Sequence, residues 1–315
     1  MDIEVPNTSA FAIQTAEGLP KLHALILAVA KRGSGKTVAI INLIRKLQQT
    51  GACDRFFIIS PTIKSNKKIL DMIKIDEDDV YDEPTRASLD SVIEKIEEEG
   101  TDYDYYIEQM KLYKKYQKYI KTGQGTLKDE DVLELYDSEN QTISPPEHKY
   151  HGKKPVMMVF FDDCQSTDVF SVKSRLNNLV IKHRHTAPLK AGGALGVTLI
   201  FAVQNYKTNA TGIGRQIRNN VTHLMVFKSK DEKELEQIAS EVSGEVSYET
   251  FMKAYEYATA EPHSFLYIDM HKKDTDPSMF RRCFNEYIII DNIQPKDDNE
   301  PAKPKGKRKK KEKGM

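Results

Sequence analysis

Residues Leu25 to Thr37 constrain this chain more than any others: Leu-Ile-Leu-Ala-Val-Ala-Lys-Arg-Gly-Ser-Gly-Lys-Thr. An apolar run of buried-strand type feeds a Gly-rich turn. The turn ends in Lys and Thr just where a helical pattern begins. This is a phosphate-binding loop of the Walker A type. Gly33 and Gly35 permit backbone turns that a Cβ would obstruct. The loop N–H groups then face phosphate oxygens, and the positive end of the following helix faces the same anion. The candidate nucleotide-binding residues are Ala30, Lys31, Arg32, Gly33, Ser34, Gly35, Lys36 and Thr37. Lys36 can reach the β- and γ-phosphates, and the Thr37 hydroxyl can ligate Mg²⁺. ATP and Mg²⁺ are therefore the expected cofactors. The full pattern is G-x-x-x-x-G-K-[ST], and Ala30 stands at its first position. Alanine is small enough to keep the strand-to-loop turn. Taken alone, the segment also fits a Gly-Ser turn before a surface helix.

A chain of 315 residues can bury a substantial core, as one large domain or two modest ones. No apolar run is long enough to span a bilayer, and residues 1–20 lack a basic-then-apolar signal pattern. Cys53, Cys164 and Cys283 lack metal-ligand spacing and read as reduced thiols of an intracellular protein. Net charge is zero but unevenly spread. Ala302 to Met315 hold eight Lys/Arg and one Glu, leaving 39 basic against 46 acidic residues elsewhere. A neutral total conceals an acidic body and a basic tail.

The expected domain plan is a leader at 1–20, an ATPase domain at 21–290 and a disordered basic tail at 291–315. Strand Ala24–Ala30, helix Lys36–Gln49 and strand Arg55–Ser60 form a βαβ unit. From about Ile63 to Tyr150 the composition turns rich in Glu, Asp, Lys and Tyr, as in a mostly helical insertion. Helices are predicted at Ser91–Glu99 and Asp104–Lys121, with Gly100, Gly123 and Gly125 as breaks. Tyr105, Tyr106, Tyr113, Tyr116 and Tyr119 could stack on nucleic-acid bases; their spacing favours the packing face of an amphipathic helix. The core resumes with a strand at Val156–Phe161, a helix at Ser171–Lys182 and a strand at Gly196–Val203. A short helix or turn at Thr211–Asn219 and a strand at Val221–Phe227 follow. Helices at Asp231–Val242 and Ser247–Ala258 come next, the second with Ser247 as N-cap. Strands His263–Met270 and Arg281–Ile290 suit an antiparallel pair at one edge. The fold class is α/β: a P-loop NTPase of RecA/FtsK-like type, with a mainly parallel central sheet flanked by helices.

Val159-Phe160-Phe161-Asp162-Asp163 puts two carboxylates at the end of a buried strand. Ligands of open parallel sheets sit at such ends, where the first loop also lies. Asp162 is placed to hold Mg²⁺, and Asp163 to orient and polarise the attacking water. Adjacent acids at a strand end also suit a solvated turn, but the upstream loop weighs against it. Gln204 follows the strand Val197–Val203; its amide could touch the γ-phosphate and the lytic water, or merely cap the strand. Arg215 and Arg218 follow, and Arg218 is the preferred candidate for stabilising transition-state charge, against a structural or DNA-contacting role. Lys182-His183-Arg184-His185 could contact phosphate backbone or be solvated surface.

Together these residues resemble the genome-packaging ATPases of large DNA viruses, the poxvirus-type branch of the FtsK–HerA superfamily. The likeness lies in Ala30 to Thr37, Phe160-Phe161-Asp162-Asp163-Cys164, Arg184-His185, Gln204, and Ile217-Arg218-Asn219-Asn220, in order and spacing across about residues 22–230. Ala30, the long insertion and the lack of a Pro after the Gln motif depart from the family pattern. The resemblance implies ATP hydrolysis coupled to pumping double-stranded DNA into a preformed capsid. It implies a homo-oligomeric ring, a capsid or portal-site protein as partner, and Arg218 reaching the nucleotide of a neighbouring subunit. The implied location is the host cytoplasm at a viral assembly site, or the virion. The basic tail fits DNA or capsid contact with steep salt dependence, and equally nuclear targeting or solubilisation.

Three rivals remain at this level. One is a cellular or plasmid pump of the same superfamily, although no membrane helix or winged-helix pattern accompanies the motor residues. A small-molecule kinase would need an acceptor pocket; the twin acids with Gln204 suit water better. A nucleotide-dependent assembly protein would bind ATP with little DNA-stimulated turnover.

Overall fold

A computed structural model describes residues 15–16, 18–137, 142–206, 213–242, 246–272 and 276–289. The expected basic tail and most of the leader lie outside the described residues. The chain opens with β1 (Leu25–Val29), α1 (Lys36–Gln49) and β2 (Arg55–Ile59), then the single turn α2 (Lys67–Leu70) and β3 (Val80–Tyr81). The long α3 (Arg86–Thr122), α4 (Asp129–Leu135) and the small pair β4 (Tyr136–Asp137) and β5 (Thr142–Ile143) follow. The core then runs β6 (Met157–Asp162), α5 (Leu176–Lys182), β7 (Val197–Val203), α6 (Arg215–Asn220) and β8 (His223–Phe227). It closes with α7 (Glu232–Val242), α8 (Tyr248–Ala258), β9 (Phe265–Asp269), β10 (Phe280–Arg282) and β11 (Glu286–Tyr287).

Among the described residues, one nine-stranded sheet has the order β11-β10-β9-β8-β1-β7-β6-β2-β3. From β3 to β8 every pairing is parallel; β9, β10 and β11 add antiparallel strands at one edge. β1 is central and in register with β7 (Leu27 opposite Phe201) and β8 (Leu27 opposite Leu224). Both faces are covered, which is why these strands read as unbroken apolar runs. Ile40, Ile41, Ile44 and Leu47 of α1 pack with Ile26 and Ala28 on one face. α3, α5, α7 and α8 pack with Leu25, Leu27 and Val29 on the other.

The acidic segment differs from its sequence reading. The predicted helices 91–99 and 104–121 are one helix, α3, and Gly100 lies inside it. A Cβ on Gly100 would come 2.9 Å from the Ala187 Cβ, so this glycine permits close packing. An interior glycine costs a helix only about 1 kcal/mol, which the packed face offsets. Gly123 does end α3: it takes φ 64 and donates its N–H to the Tyr119 carbonyl. Nor does the segment stand wholly apart from the core. β3 extends the sheet, and Leu89, Val92, Ile93 and Ile96 are fully part of its packing. Arg55 ties the two together, donating to Asp79 at 2.7 and 2.8 Å and to Glu99 at 2.6 Å.

The tyrosines of α3 divide. Tyr106 stacks on His148 at 4.8 Å, whereas Tyr105 and Tyr119 are exposed. The predicted helix 171–182 begins later, at Leu176, after a turn. The predicted strand 281–290 folds back on itself as β10 and β11. Ser247 caps α8 as its position implied, accepting from the Thr250 N–H at 3.2 Å.

Candidate functional site

The carboxyl ends of β1, β6 and β7 bring the predicted residues together. The loop leaves β1 at Ala30, whose N–H donates to the Val203 carbonyl at 3.0 Å. Gly33 and Gly35 both take left-handed backbone, φ 80 and 90. At Gly35 space is limiting as well: a Cβ there would meet the His263 ring at 3.0 Å. α1 starts directly behind with no acidic residue in its first turn, so its positive end faces the loop unneutralised.

Lys36, buried, forms an ion pair with Asp163. Thr37 donates its hydroxyl proton to Asp162, with Oγ1 3.1 Å from Oδ2. Asp162 is the last residue of β6 and is buried; Asp163 follows in left-handed backbone, φ 52, which turns its carboxylate towards the loop lysine. Gln204 donates from Nε2 to the same Asp163 oxygen at 3.4 Å. Burial pushes the Asp162 carboxyl up to about 6, and the neighbouring Asp163 charge adds to the rise; Lys36 and the Thr37 hydroxyl oppose it. A buried acid beside a hydroxyl and a second acid calls for a cation when ionised. The donor set of Thr37 and Asp162 therefore fits a divalent ion that arrives with phosphate oxygens. Among the described residues no group of three or more His, Cys, Asp or Glu side chains could hold a metal by itself.

Two residues not singled out from the sequence complete the site. Gln165 accepts from the Gln204 N–H at 2.8 Å and from the Asn205 N–H at 3.4 Å, and donates back to the Asn205 carbonyl at 2.9 Å. Asn205 in turn accepts from Lys31 of the loop at 3.1 Å. The backbone at the end of β7 is thus clamped from the β6 side, and the Asn205 side chain ties it to the phosphate loop. Their only sequence signal was polarity just past a buried strand.

Arg218 is placed elsewhere. Its Nε lies 3.1 Å from Glu241 of α7, its guanidinium donates to the Ile213 carbonyl, and it covers the Tyr206 ring at 5.5 Å. Only 7% of its side chain is exposed. Arg215, one turn earlier on α6, is exposed. In the basic cluster, His183 is buried with Nδ1 2.8 Å from the Val180 carbonyl, while Lys182, Arg184 and His185 are exposed. Cys53 and Cys164 are buried thiols, and Cys164 lies 3.1 Å from the Ile59 carbonyl under the acid pair. No described helix is long and apolar enough to cross a membrane.

No family model matches the chain, and no curated protein matches it in sequence. Solved structures do align with it. The genome packaging NTPase B204 of Sulfolobus turreted icosahedral virus 2, in complex with ATP-gammaS, is 13% identical; the match covers 79% of this chain and 93% of B204, with a TM-score of 0.41. The conjugation coupling protein TcpA of pCW3, with ATPgS, is 15% identical over 81% of this chain and 58% of TcpA, TM-score 0.42. The cytoplasmic domain of the type VII secretion ATPase EccC of Thermomonospora curvata is 13% identical over 80% of this chain and 24% of that domain, TM-score 0.38. These superpositions are loose, and what the site can do rests on its own geometry. A mainly parallel α/β sheet whose central strand delivers a Gly-rich loop to a helix N-terminus, opposite strand-end acids, is the fold of a P-loop NTPase.

Proposed function

We propose that this chain is an ATP-driven double-stranded DNA translocase that packages a viral genome into a preformed capsid. The observation that carries the ATPase part is the meeting of Lys36 and Thr37 with Asp163 and Asp162 at one sheet edge. The packaging part rests on the sequence resemblance to the poxvirus-type branch.

In this reading residues 30–37 wrap the triphosphate, and Lys36 exchanges Asp163 for phosphate oxygens. A Mg²⁺ ion held by Thr37, Asp162 and the phosphates would neutralise charge that develops on the transferred group. Asp163, released from Lys36, orients and polarises the attacking water. Gln204 shares the Asp163 oxygen and so senses whether that water and the γ-phosphate are in place. The loose transition state of phosphoryl transfer asks for positioning and charge more than for covalent help. An arginine offered in trans within a ring comes from α6: Arg218 can serve only by leaving Glu241, whereas Arg215 is exposed as it stands.

The test is the ATPase rate with and without double-stranded DNA. The expected result is stimulation by DNA that disappears in Lys36→Ala. In Asp163→Asn, ATP binding should persist while turnover falls by roughly 10²–10⁴. Turnover indifferent to DNA would reduce the reading to a nucleotide-dependent assembly protein, and normal turnover in Asp163→Asn would remove that acid from the site.

A further inference from the structure

The basic turn at 183–185 plays no part in the nucleotide site. β1, β7 and β8 run parallel, so the ends at which they begin form the sheet edge opposite the phosphate loop. The five residues of β1 set the two edges roughly 15 Å apart. At the far edge lies a cavity of about 330 Å³. Lys21 and His23 line it from the approach to β1, Arg184 from the turn, Thr222 and His223 from the start of β8, and His271 from just past β9. Among the described residues no acidic side chain lines it. Arg184 is exposed and has no ion-pair partner among the described residues. Lys21 gives one of its three protons to the His271 carbonyl at 2.8 Å and keeps two. Two of the rings each bury a nitrogen that has no hydrogen-bond partner among the described residues, Nδ1 of His23 and Nε2 of His223. Buried polar atoms of folded proteins are nearly always bonded.

We propose that this cavity binds a phosphate group, as free phosphate or as a phosphodiester of double-stranded DNA. Arg184 and Lys21 supply two positive charges, and a guanidinium can pair two oxygens of one phosphate. His23, His223 and His271 add ring nitrogens from other sides of the cavity. Donors therefore surround a tetrahedral anion, where a flat carboxylate would leave some of them unmet. The two buried rings register the positive field. Burial, with Lys154, His183 and Arg184 nearby, pushes His23 down to about 4. Burial also pushes His223 down to about 4; Asp269 opposes it, while His271, Arg281 and Lys21 add to it. Both rings are therefore neutral at pH 7, and a neutral imidazole can carry its one N–H on whichever nitrogen meets an oxygen. Asp269 does not cancel the cations of the cavity. Its Oδ1 lies 3.5 Å from the His223 Nε2, but it already accepts the His271 N–H at 2.9 Å and has the Arg281 guanidinium 3.9 Å away. The site stands apart from the ATPase reading; only the DNA source draws on that reading.

The experiment titrates the full chain with inorganic phosphate, and separately with a short DNA duplex, while the imidazole NMR signals of His23, His223 and His271 are followed. These rings lie at the sheet edge away from Lys36, so they report the cavity and not the phosphate loop. Arg184→Gln is the first variant, because Arg184 is exposed and its loss strands no buried partner. Arg184→Glu adds repulsion. The expected result is that phosphate shifts all three signals in the wild type, with affinity about tenfold weaker in Arg184→Gln and binding lost in Arg184→Glu. If DNA is the source, duplex affinity measured by fluorescence anisotropy falls in step. The slope of log affinity against log salt then becomes shallower by about one, while ATPase turnover without DNA is unchanged. If free phosphate is the source, both variants bind duplex as the wild type does. Histidine signals indifferent to both ligands, or wild-type affinity for both in Arg184→Glu, overturn the proposal. A wild-type chain that binds phosphate here but no DNA leaves the site standing and removes the translocase reading. One that binds DNA with these rings unmoved and Arg184→Glu without effect removes this inference alone.

Discussion

Asp162→Asn should make this protein more stable while removing its ability to turn over ATP. The folded chain raises the Asp162 carboxyl from 3.8 to about 6, mainly by burying it and then by the charge on Asp163. The folded state therefore binds a proton more readily than the unfolded chain does between those values. Stability falls as pH rises through that window, and the deficit is complete above it. A rise of that size corresponds to roughly 3 kcal/mol at neutral pH. Asparagine fills the same volume without the charge, and its amide can still bond the Thr37 hydroxyl. Urea unfolding at several pH values is the assay. The stability difference, variant minus wild type, should be near zero at pH 4, grow through pH 6 and level off above, with Mg-ATP turnover absent throughout. A difference that does not change with pH, or a variant weaker than wild type at pH 8, would refute the reasoning. Saturating Mg-ATP should narrow the gap by stabilising the wild type selectively.

Gln165→Ala removes the clamp on the Gln204 and Asn205 backbone and should lower kcat by roughly ten- to a hundredfold with the ATP Kd unchanged; single-turnover and equilibrium titrations separate the two. Arg218→Ala leaves Glu241 without its guanidinium partner and should cost about 1–3 kcal/mol in urea unfolding. In mixtures of wild-type and Arg218→Ala subunits, activity should fall faster than linear dilution if the arginine also acts in trans; strictly linear decline rules that out. Gly100→Leu forces a side chain into Ala187 and Leu195 and should destabilise by about 1–3 kcal/mol, measured by thermal unfolding, although leucine is the better helix former.

The parts legible in the sequence were those written in local pattern. β1, the loop and α1 fall within two residues of their reading because the apolar run, the glycines and the helical stripe are contiguous. Asp162, Asp163 and Gln204 were legible because each stands at the end of a mostly apolar strand, and parallel strand ends converge. What escaped depends on partners far along the chain. Gly100 looks like a helix breaker until Ala187 is set against it. Gln165 bonds backbone, so nothing in its neighbours marks it. Arg218 reads in sequence as a candidate for transition-state charge, but α7 brings Glu241 to it. His263 meets the loop only because β9 runs antiparallel to β8.

In the proposed function, the Lys36–Asp163 pair couples nucleotide binding to hydrolysis. A buried ammonium left alone would be costly, and Asp163 supplies the anion that pairs it. While the pair is made, the acid proposed to prepare water is spoken for. In that reading phosphate would displace it, and the same displacement would free the acid, making loading and readiness to hydrolyse one electrostatic event.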